Sequence, residues 1–472
     1  MHTKPIKKVW DLNCMGNRGI NNLTEGNILS GLLRLALPLM GTSFLQMAYT
    51  LMAMSWVGRL GSGGHSEVAT RAEAAIGAIG MLLWLTGSIA YLAMIGAEVA
   101  VGQSIGAKKM RLAKAYASHT TTISISIGVI WVLLLFVFAE PILSFFKLDP
   151  AITTDAALYL RILAVCLPFQ FVSYNFSGIY NGAGRSFVPF RNNAFGLVLN
   201  MILDPILMFT LGLGLHGAAI GTVIAQLFVF ALFYYQIRYA NPILGQFRFM
   251  IMPRMLFLKR VFFLGTPVSI MNSLYAIINM NLARVASIYG GHIGLMTQTT
   301  GGQIEGVTWN TSQGFSTALS AFMAQNYAAG HIERGRKAYI YALRIMLSVG
   351  VVVSIAFILF GGQIFGLIVP QEEAMIAGAQ YLFVMGLVQV FMMFELTTQG
   401  MFNGIGRTIE PAVISITFNA LRIPLAYYLA SDMGIIGVWW AIAISSICKG
   451  IILPIWFTIL YRREVKKKRP TI

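Results

Sequence analysis

The sequence predicts an all-α integral membrane fold, with twelve transmembrane helices arranged as two pseudo-symmetric six-helix lobes. Three observations predict it: the composition, the alternation of charge between loops, and an internal repeat. Of the 472 residues, 57% are hydrophobic and only 11% charged, and the mean hydropathy is +0.71, where a soluble domain carries about 25% charged residues. No polar stretch is long enough to form a soluble domain beyond the first 28 residues and the loop around 238–260.

Apolar windows of bilayer-spanning length, roughly 20 residues each, occur near 30–58, 74–100, 116–139, 153–176, 190–212 and 215–237. Six more follow near 258–288, 297–324, 338–360, 377–402, 410–430 and 434–461. The expected organisation is therefore an N-terminal segment 1–28, a first lobe 29–238, a connector 239–257, a second lobe 258–461 and a basic tail 462–472. The N-terminal segment has Lys4, Lys7 and Lys8 but lacks the apolar core and small-residue cleavage site of a secretory signal.

Every second connection should be basic if the helices alternate in direction, because Lys and Arg accumulate on the cytoplasmic side. Lys108, Lys109, Arg111 and Lys114 fall in one such connection, followed by Arg185 and Arg191, then Arg238, Arg248, Arg254, Lys259 and Arg260. Arg334, Arg336 and Lys337, then Arg407, and finally the tail from Arg462 to Arg469 keep the same parity. The intervening connections are nearly uncharged or acidic, as at Asp149, Glu372, Glu373 and Asp432, with Arg59 and Arg71 as exceptions. This places both termini in the cytoplasm and explains the net charge of +17 without a nucleic-acid partner. The tail is expected to meet anionic headgroups.

The repeat has a constant offset. Gln103 matches Gln325, and Asn181-Gly182-Ala183-Gly184-Arg185-Ser186 matches Asn403-Gly404-Ile405-Gly406-Arg407-Thr408, each 222 positions on, as are Pro189 and Pro411. Pro38 and Pro267 carry the match to the first and seventh helices at an offset of 229. A duplicated block of six helices enters the membrane in the same direction twice, so the halves are expected to be related by an axis along the membrane normal, with a cleft between them as the substrate route.

Polar residues within these windows are the functional candidates. An ionised carboxylate at the bilayer centre costs roughly 2.5–3.5 kcal/mol on insertion scales; low-dielectric surroundings disfavour its charged form and a nearby cation favours it. A site whose hydration changes between two conformations can therefore take up and release a cation. Asp204, Glu305 and Glu395 qualify. Asn200 shares a helical face with Asp204, and Pro205 frees the Met201 carbonyl, so a carboxylate, an amide and a carbonyl can converge on H⁺ or Na⁺. Holding a neighbouring helix in place would explain Asp204 structurally. Glu305 lies in a polar helix with Gln303, and Glu395 lies beside Met393 and Gln399; interhelical hydrogen bonds or a pair with Arg422 are the structural alternatives for both. Glu98 is expected near the cytoplasmic interface.

Tyr174, Asn175 and Asn181 after Pro168, and Asn272 and Asn279 after Pro267, are expected to line the substrate cavity together with Gln303, Met393 and Gln399, although interhelical bonding accounts for such residues as well. Gln103 and Gln325 read as packing and turn positions. The six His residues and Cys14, Cys166 and Cys448 have no metal or redox spacing, and no Walker-type phosphate loop is present. No cofactor other than the coupling ion is expected, and neither an enzyme nor an ATP-driven pump.

Met54-Ser55-Trp56-Val57-Gly58-Arg59-Leu60-Gly61, Gly102-Gln103-Ser104-Ile105-Gly106-Ala107, the Asn181 to Arg185 run and Asn200-Met201-Ile202-Leu203-Asp204-Pro205 occur in this order. Gln303-Ile304-Glu305, Gln325-Asn326 and Arg422-Ile423-Pro424-Leu425-Ala426 follow in the second half. In these motifs the chain resembles the multidrug and toxic compound extrusion family, over nearly its whole length. The resemblance implies a V-shaped pair of lobes in the inner membrane that exchanges protons or sodium for a small organic substrate. In many prokaryotic members an Asp precedes the glycine that Gly58 matches by five residues; here that position is Ala53, which leaves Asp204 without its familiar acidic partner. A flippase of lipid-linked oligosaccharides in the same superfamily, or a membrane receptor or enzyme, is the alternative. A monomer is the expected state of two fused halves.

Overall fold

The computed structural model describes residues 22–59, 66–144, 150–240, 244 and 246–468. Cys14, Asp149 and the last four residues of the tail lie outside them, as does the side chain of Ala53. The described residues form helices and no strand. This is what a bilayer allows, because a helix satisfies all its backbone polar groups internally.

The first half comprises α1 (Ile28–Arg59), α2 (Ser66–Gly106), α3 (Met110–Ser144), α4 (Pro150–Ala164), α5 (Leu167–Gly182), α6 (Phe187–Pro205) and α7 (Gly214–Tyr235). The second comprises α8 (Met255–Ala328), α9 (Ile332–Gly366), α10 (Glu372–Gly386), α11 (Gln389–Ile405), α12 (Ile409–Met433) and α13 (Ile435–Lys468). Nine of these helices are long and apolar enough to cross a bilayer, and the pairs α4/α5 and α10/α11 each supply a further, bent span.

α8 crosses twice. At 74 residues a straight helix would reach about 110 Å, against a hydrocarbon core of about 30 Å. The chain reverses at Gly291, whose φ of +58° and ψ of −151° suit only glycine. A Cβ placed on Gly294 would lie 3.0 Å from the Ala286 carbonyl oxygen, where a continuous helix would separate them by about 12 Å. Counting the two limbs of α8, the described residues supply the twelve spans expected from the apolar windows.

The duplication is written into the backbone. The α4/α5 bend of 50° recurs as 51° between α10 and α11. The break at Phe138 in α3 (φ −104°, ψ 18°) recurs 222 positions later at Phe360 in α9 (φ −120°, ψ 16°). Positive φ at Gly184 and Gly212 returns at Gly406 and Gly434 with the same offset, and Lys108, at φ +59°, stands where the second half has Gly330. Packing repeats too: a Cβ on Gly178 would meet the Met94 carbonyl at 2.3 Å, and one on Gly400 the equivalent Ser316 carbonyl at 2.1 Å. Small residues bring α5 against α2, and α11 against α8, at backbone distance, the usual route to tight helix association in lipid.

The lobes meet along two seams. In one, α2 packs on the first limb of α8, with Ile95, Val99, Ala100, Leu264 and Val268 buried together and Gly265 set against the Leu92 carbonyl. In the other, α1 packs on the second limb, with Leu32, Leu35 and Leu39 buried among Phe315, Leu319 and Phe322. At the basic-loop end the two repeat-equivalent glutamines cross over. Gln103 Nε2 donates to the Gly404 carbonyl at 3.0 Å, and Gln325 Nε2 donates to the Gly182 carbonyl at 2.8 Å. Both stand at helix-ending turns, as expected, and each in addition reaches across the pseudo-two-fold axis to the other lobe.

Candidate functional site

Asp204 sits at the end of α6, where Pro205 cannot donate to the Met201 carbonyl. The chain after it widens into a π-helical turn, Ile206–Thr210, with Leu211 N bonding the Ile206 carbonyl at 2.9 Å. Such turns recur at functional sites. Asp204 is 3% exposed, and Asn200 Nδ2 donates to its Oδ1 from one turn earlier. α7 presents Gly221 here; a Cβ on it would lie 2.5 Å from Asp204 Oδ1 and 3.3 Å from Asn200 Nδ2. The next residue, Thr222, shares a 3.0 Å hydrogen bond with Tyr49 of α1. Tyr49 and Tyr159 both lie within electrostatic range of the carboxylate. No Lys, Arg or His forms an ion pair with Asp204 among the described residues. Four helices of the first lobe thus enclose one carboxylate with polar neighbours and no neutralising base.

The second lobe treats one of its acids, Glu395, differently. Glu395 Oε2 lies 2.9 Å from Lys449 Nζ, and the two side chains are 6% and 4% exposed. Glu395 Oε1 accepts from Gln399 Nε2 at 3.2 Å and Ser415 Oγ at 3.1 Å, while Lys449 also donates to Asn419 Oδ1 at 2.9 Å. This carboxylate is paired and fully hydrogen-bonded. The anticipated partner, Arg422, is elsewhere: its Nε and Nη2 donate to Ser445 and Ser446 of α13 at 3.0 and 3.1 Å. Glu305 accepts a 2.5 Å bond from the Tyr381 hydroxyl and lies within range of Gln389 and Arg422. Tyr381 is the repeat partner of Tyr159, so each lobe sets the same tyrosine beside its own acid.

The other expected residues do not gather at one place. Met393 is fully buried in the core of the second lobe, and Gln399 belongs to the Glu395 network, so neither faces a cavity. Asn175 is also buried and donates to Thr121 of α3 at 3.0 Å. Tyr174 packs against Tyr91 with ring centroids 6.0 Å apart. Asn272 lies on the α2/α8 seam, its carbonyl accepting from Trp84 Nε1 at 3.3 Å. Asn279 is half-buried and Gln303 exposed. Asn181 is buried between the lobes, and Glu98, expected near an interface, is fully buried on the same seam.

Sequence reasoning missed Lys449, although a lysine inside the 434–461 window is as informative as an acid there. It also missed Tyr159 and Tyr381, which the 222-residue offset would have paired.

The family profile described as MatE matches residues 38–206 and 267–428, one block in each lobe. The chain belongs to the multidrug and toxic compound extrusion family. Among relatives of this family, the chain is 24% identical over 426 residues to the probable multidrug resistance protein NorM of Thermotoga maritima, covering 86% of this chain and 87% of that one. It is 26% identical over 418 residues to the probable multidrug resistance protein YoeA of Bacillus subtilis, covering 85% and 87%. A crystal structure of a MATE protein in complex with MaD3S superposes with a TM-score of 0.89 at 23% identity, covering 96% of this chain and all of that one. The outward-facing conformation of a multidrug resistance MATE family transporter of the MOP superfamily superposes at 0.87 with 22% identity, covering 95% of this chain and 99% of that one. As a MATE chain this is a multi-pass membrane transport protein.

Proposed function

We propose that the chain is a secondary antiporter that exports small organic compounds, cationic or amphiphilic, in exchange for H⁺ or Na⁺. The names of its relatives support multidrug export as the class of activity. The observation that carries the coupling role is the contrast between the lobes. Glu395 is neutralised by Lys449, whereas Asp204 is buried and among the described residues has Asn200 as its bonded side-chain partner. An unneutralised carboxylate in low-dielectric surroundings is stable when it holds a cation and unstable when it does not. Cation binding there biases whichever lobe arrangement encloses it, which is the differential affinity that a conformational switch requires.

The driving force is adequate. One net positive charge moving down a 100 mV potential supplies about 2.3 kcal/mol, enough for a roughly fifty-fold gradient of an uncharged substrate; a monovalent cation exchanged one for one is driven by the concentration gradient of the coupling ion instead. In this reading the protein works as a monomer in the plasma membrane, with both termini cytoplasmic and bulk lipid around it. Its partners are the substrate and the coupling ion.

The test is efflux from reconstituted proteoliposomes with a proton gradient and a sodium gradient imposed separately. One of the two should drive export by the wild type, and Asp204→Asn should abolish that component while the protein still inserts and elutes as a folded monomer. Full gradient-driven transport by Asp204→Asn would refute the assignment.

A further inference from the structure

Export as proposed uses the acid inside the first lobe, but a second unneutralised carboxylate lies between the lobes. Glu98 of α2 is 0% exposed, and neither of its carboxylate oxygens has a hydrogen-bond partner. The Asn181 amide of α5 and the Ser320 hydroxyl of the second limb of α8 approach it as its nearest donors, but no contact among the three side chains reaches full hydrogen-bond geometry. The four-residue pattern follows the pseudo-symmetry: Glu98 and Ser320 are repeat equivalents, as are Asn181 and Asn403, and Asn403 Oδ1 is unsatisfied too.

The helices carrying these groups meet at backbone distance. A Cβ on Gly182 would lie 2.4 Å from the Glu98 carbonyl oxygen, and one on Gly404 2.6 Å from that of Ser320. The glutamine crossover closes the same end of the seam.

Buried polar atoms in folded proteins are almost always bonded in good geometry, so a carboxylate whose buried polar neighbours stand just too loosely around it is shaped to share a small cation with them. Among the described residues no Lys, Arg or His of α3, α5, α8 or α11 forms an ion pair with Glu98. Arg260, on the first limb of α8, is tied to Gln103 Oε1 at 3.2 Å. Tyr91, two turns earlier on α2, is the titratable group within electrostatic range, and a neutral phenol does not compensate a negative charge. Carboxylate, amide and hydroxyl oxygens are ligands for a hard monovalent cation, and the same carboxylate can instead hold a proton.

We infer that Glu98, with Asn181 and Ser320, is a second cation site, for H⁺ or Na⁺, built at the lobe interface and complete only when the basic-loop end is closed. Loading this site favours the closed arrangement, and an empty, ionised Glu98 favours parting of the lobes so that water reaches it. The inference rests on the alternating lobes of the proposed exporter, but its test does not require transport.

Spin labels at Lys109→Cys and Lys337→Cys, both exposed and on opposite lobes, would report the opening of this end by pulsed electron resonance. The background is the full chain with Cys14→Ser, Cys166→Ala and Cys448→Ser. The inter-label distance is followed in a pH titration without sodium and in a sodium titration at fixed alkaline pH. The expected result is a shift toward the short distance with one of the two cations. Glu98→Gln should hold the short distance at every condition.

Should Glu98→Gln fail to fold, Asn181→Ala and Ser320→Ala carry the test. Each removes one interaction with a charged group, worth about tenfold in an equilibrium constant. A sodium site should then need about tenfold more sodium, whereas a proton site, losing donors to its ionised form, should load at a pH about one unit higher. A wild-type distance that ignores both cations, a Glu98→Gln response equal to the wild type, or unmoved midpoints in both alanine variants would overturn the inference. Absence of gradient-driven efflux by the wild type would overturn the export reading instead.

Discussion

Replacing Lys449 with Met should destabilise the second lobe severely, and replacing Glu395 with Gln in the same chain should restore most of the loss. The ammonium and carboxylate are 2.9 Å apart and nearly inaccessible. At an effective dielectric constant of about 20 the attraction between them is about 6 kcal/mol, against which stands the desolvation of both ions. Removing only the lysine leaves Glu395 charged with the Gln399 and Ser415 bonds alone, and breaking a buried pair from one side costs about 3–5 kcal/mol. Removing both charges eliminates attraction and desolvation together, so Glu395→Gln with Lys449→Met should lie within about 1–2 kcal/mol of the wild type. The assay is a double-mutant cycle on detergent-solubilised protein, read by thermal unfolding with intrinsic tryptophan fluorescence. Because two of the three bonds to Glu395 survive in Lys449→Met, the coupling energy reports the charge pair and not the polar network as a whole. Single-variant losses that add to within about 0.5 kcal/mol in the double variant would refute the claim that Glu395 is committed to structure.

Gly221→Val should abolish gradient-driven efflux with a smaller effect on melting temperature, since even a Cβ at that position reaches Asp204 Oδ1 at 2.5 Å; transport and unfolding measured on one preparation decide it. Gly178→Ala and Gly400→Ala should each destabilise by about 1–3 kcal/mol or more, because the added methyl meets a main-chain carbonyl at 2.3 and 2.1 Å, and closely matched melting shifts would reflect the repeated packing. Tyr381→Phe should cost about 1–3 kcal/mol by leaving the partly buried Glu305 carboxylate short of a donor, measured in the same way. Gln325→Ala should destabilise more than Gln103→Ala, since each side chain also accepts one bond, from Leu23 N at 3.1 Å and from Arg260 Nη2 at 3.2 Å, but Gln325 is fully buried and Gln103 half-buried.

The sequence by itself determined the number of spans, the parity of the basic loops and the duplication. These are one-dimensional properties: hydrophobic length is set by bilayer thickness, and a constant offset survives in the chain whatever the packing. It also isolated Asp204 with Asn200, because a four-residue spacing fixes two side chains on one helical face. Only the tertiary structure decided which acids are free. Glu395 looks as exceptional as Asp204 in an apolar window, and the difference is Lys449, 54 positions later and brought within hydrogen-bond distance by the packing of α11 against α13. The same holds for Met393, Gln399 and Asn175, whose residue types suit a cavity wall but whose helical faces turn into a lobe. Glu98 reads as a residue near the end of a helix and is buried, because a second lobe lies across its exposed side. Local spacing constrains neighbours along one helix, whereas the charge state that a buried carboxylate can sustain depends on side chains from helices far away in the chain.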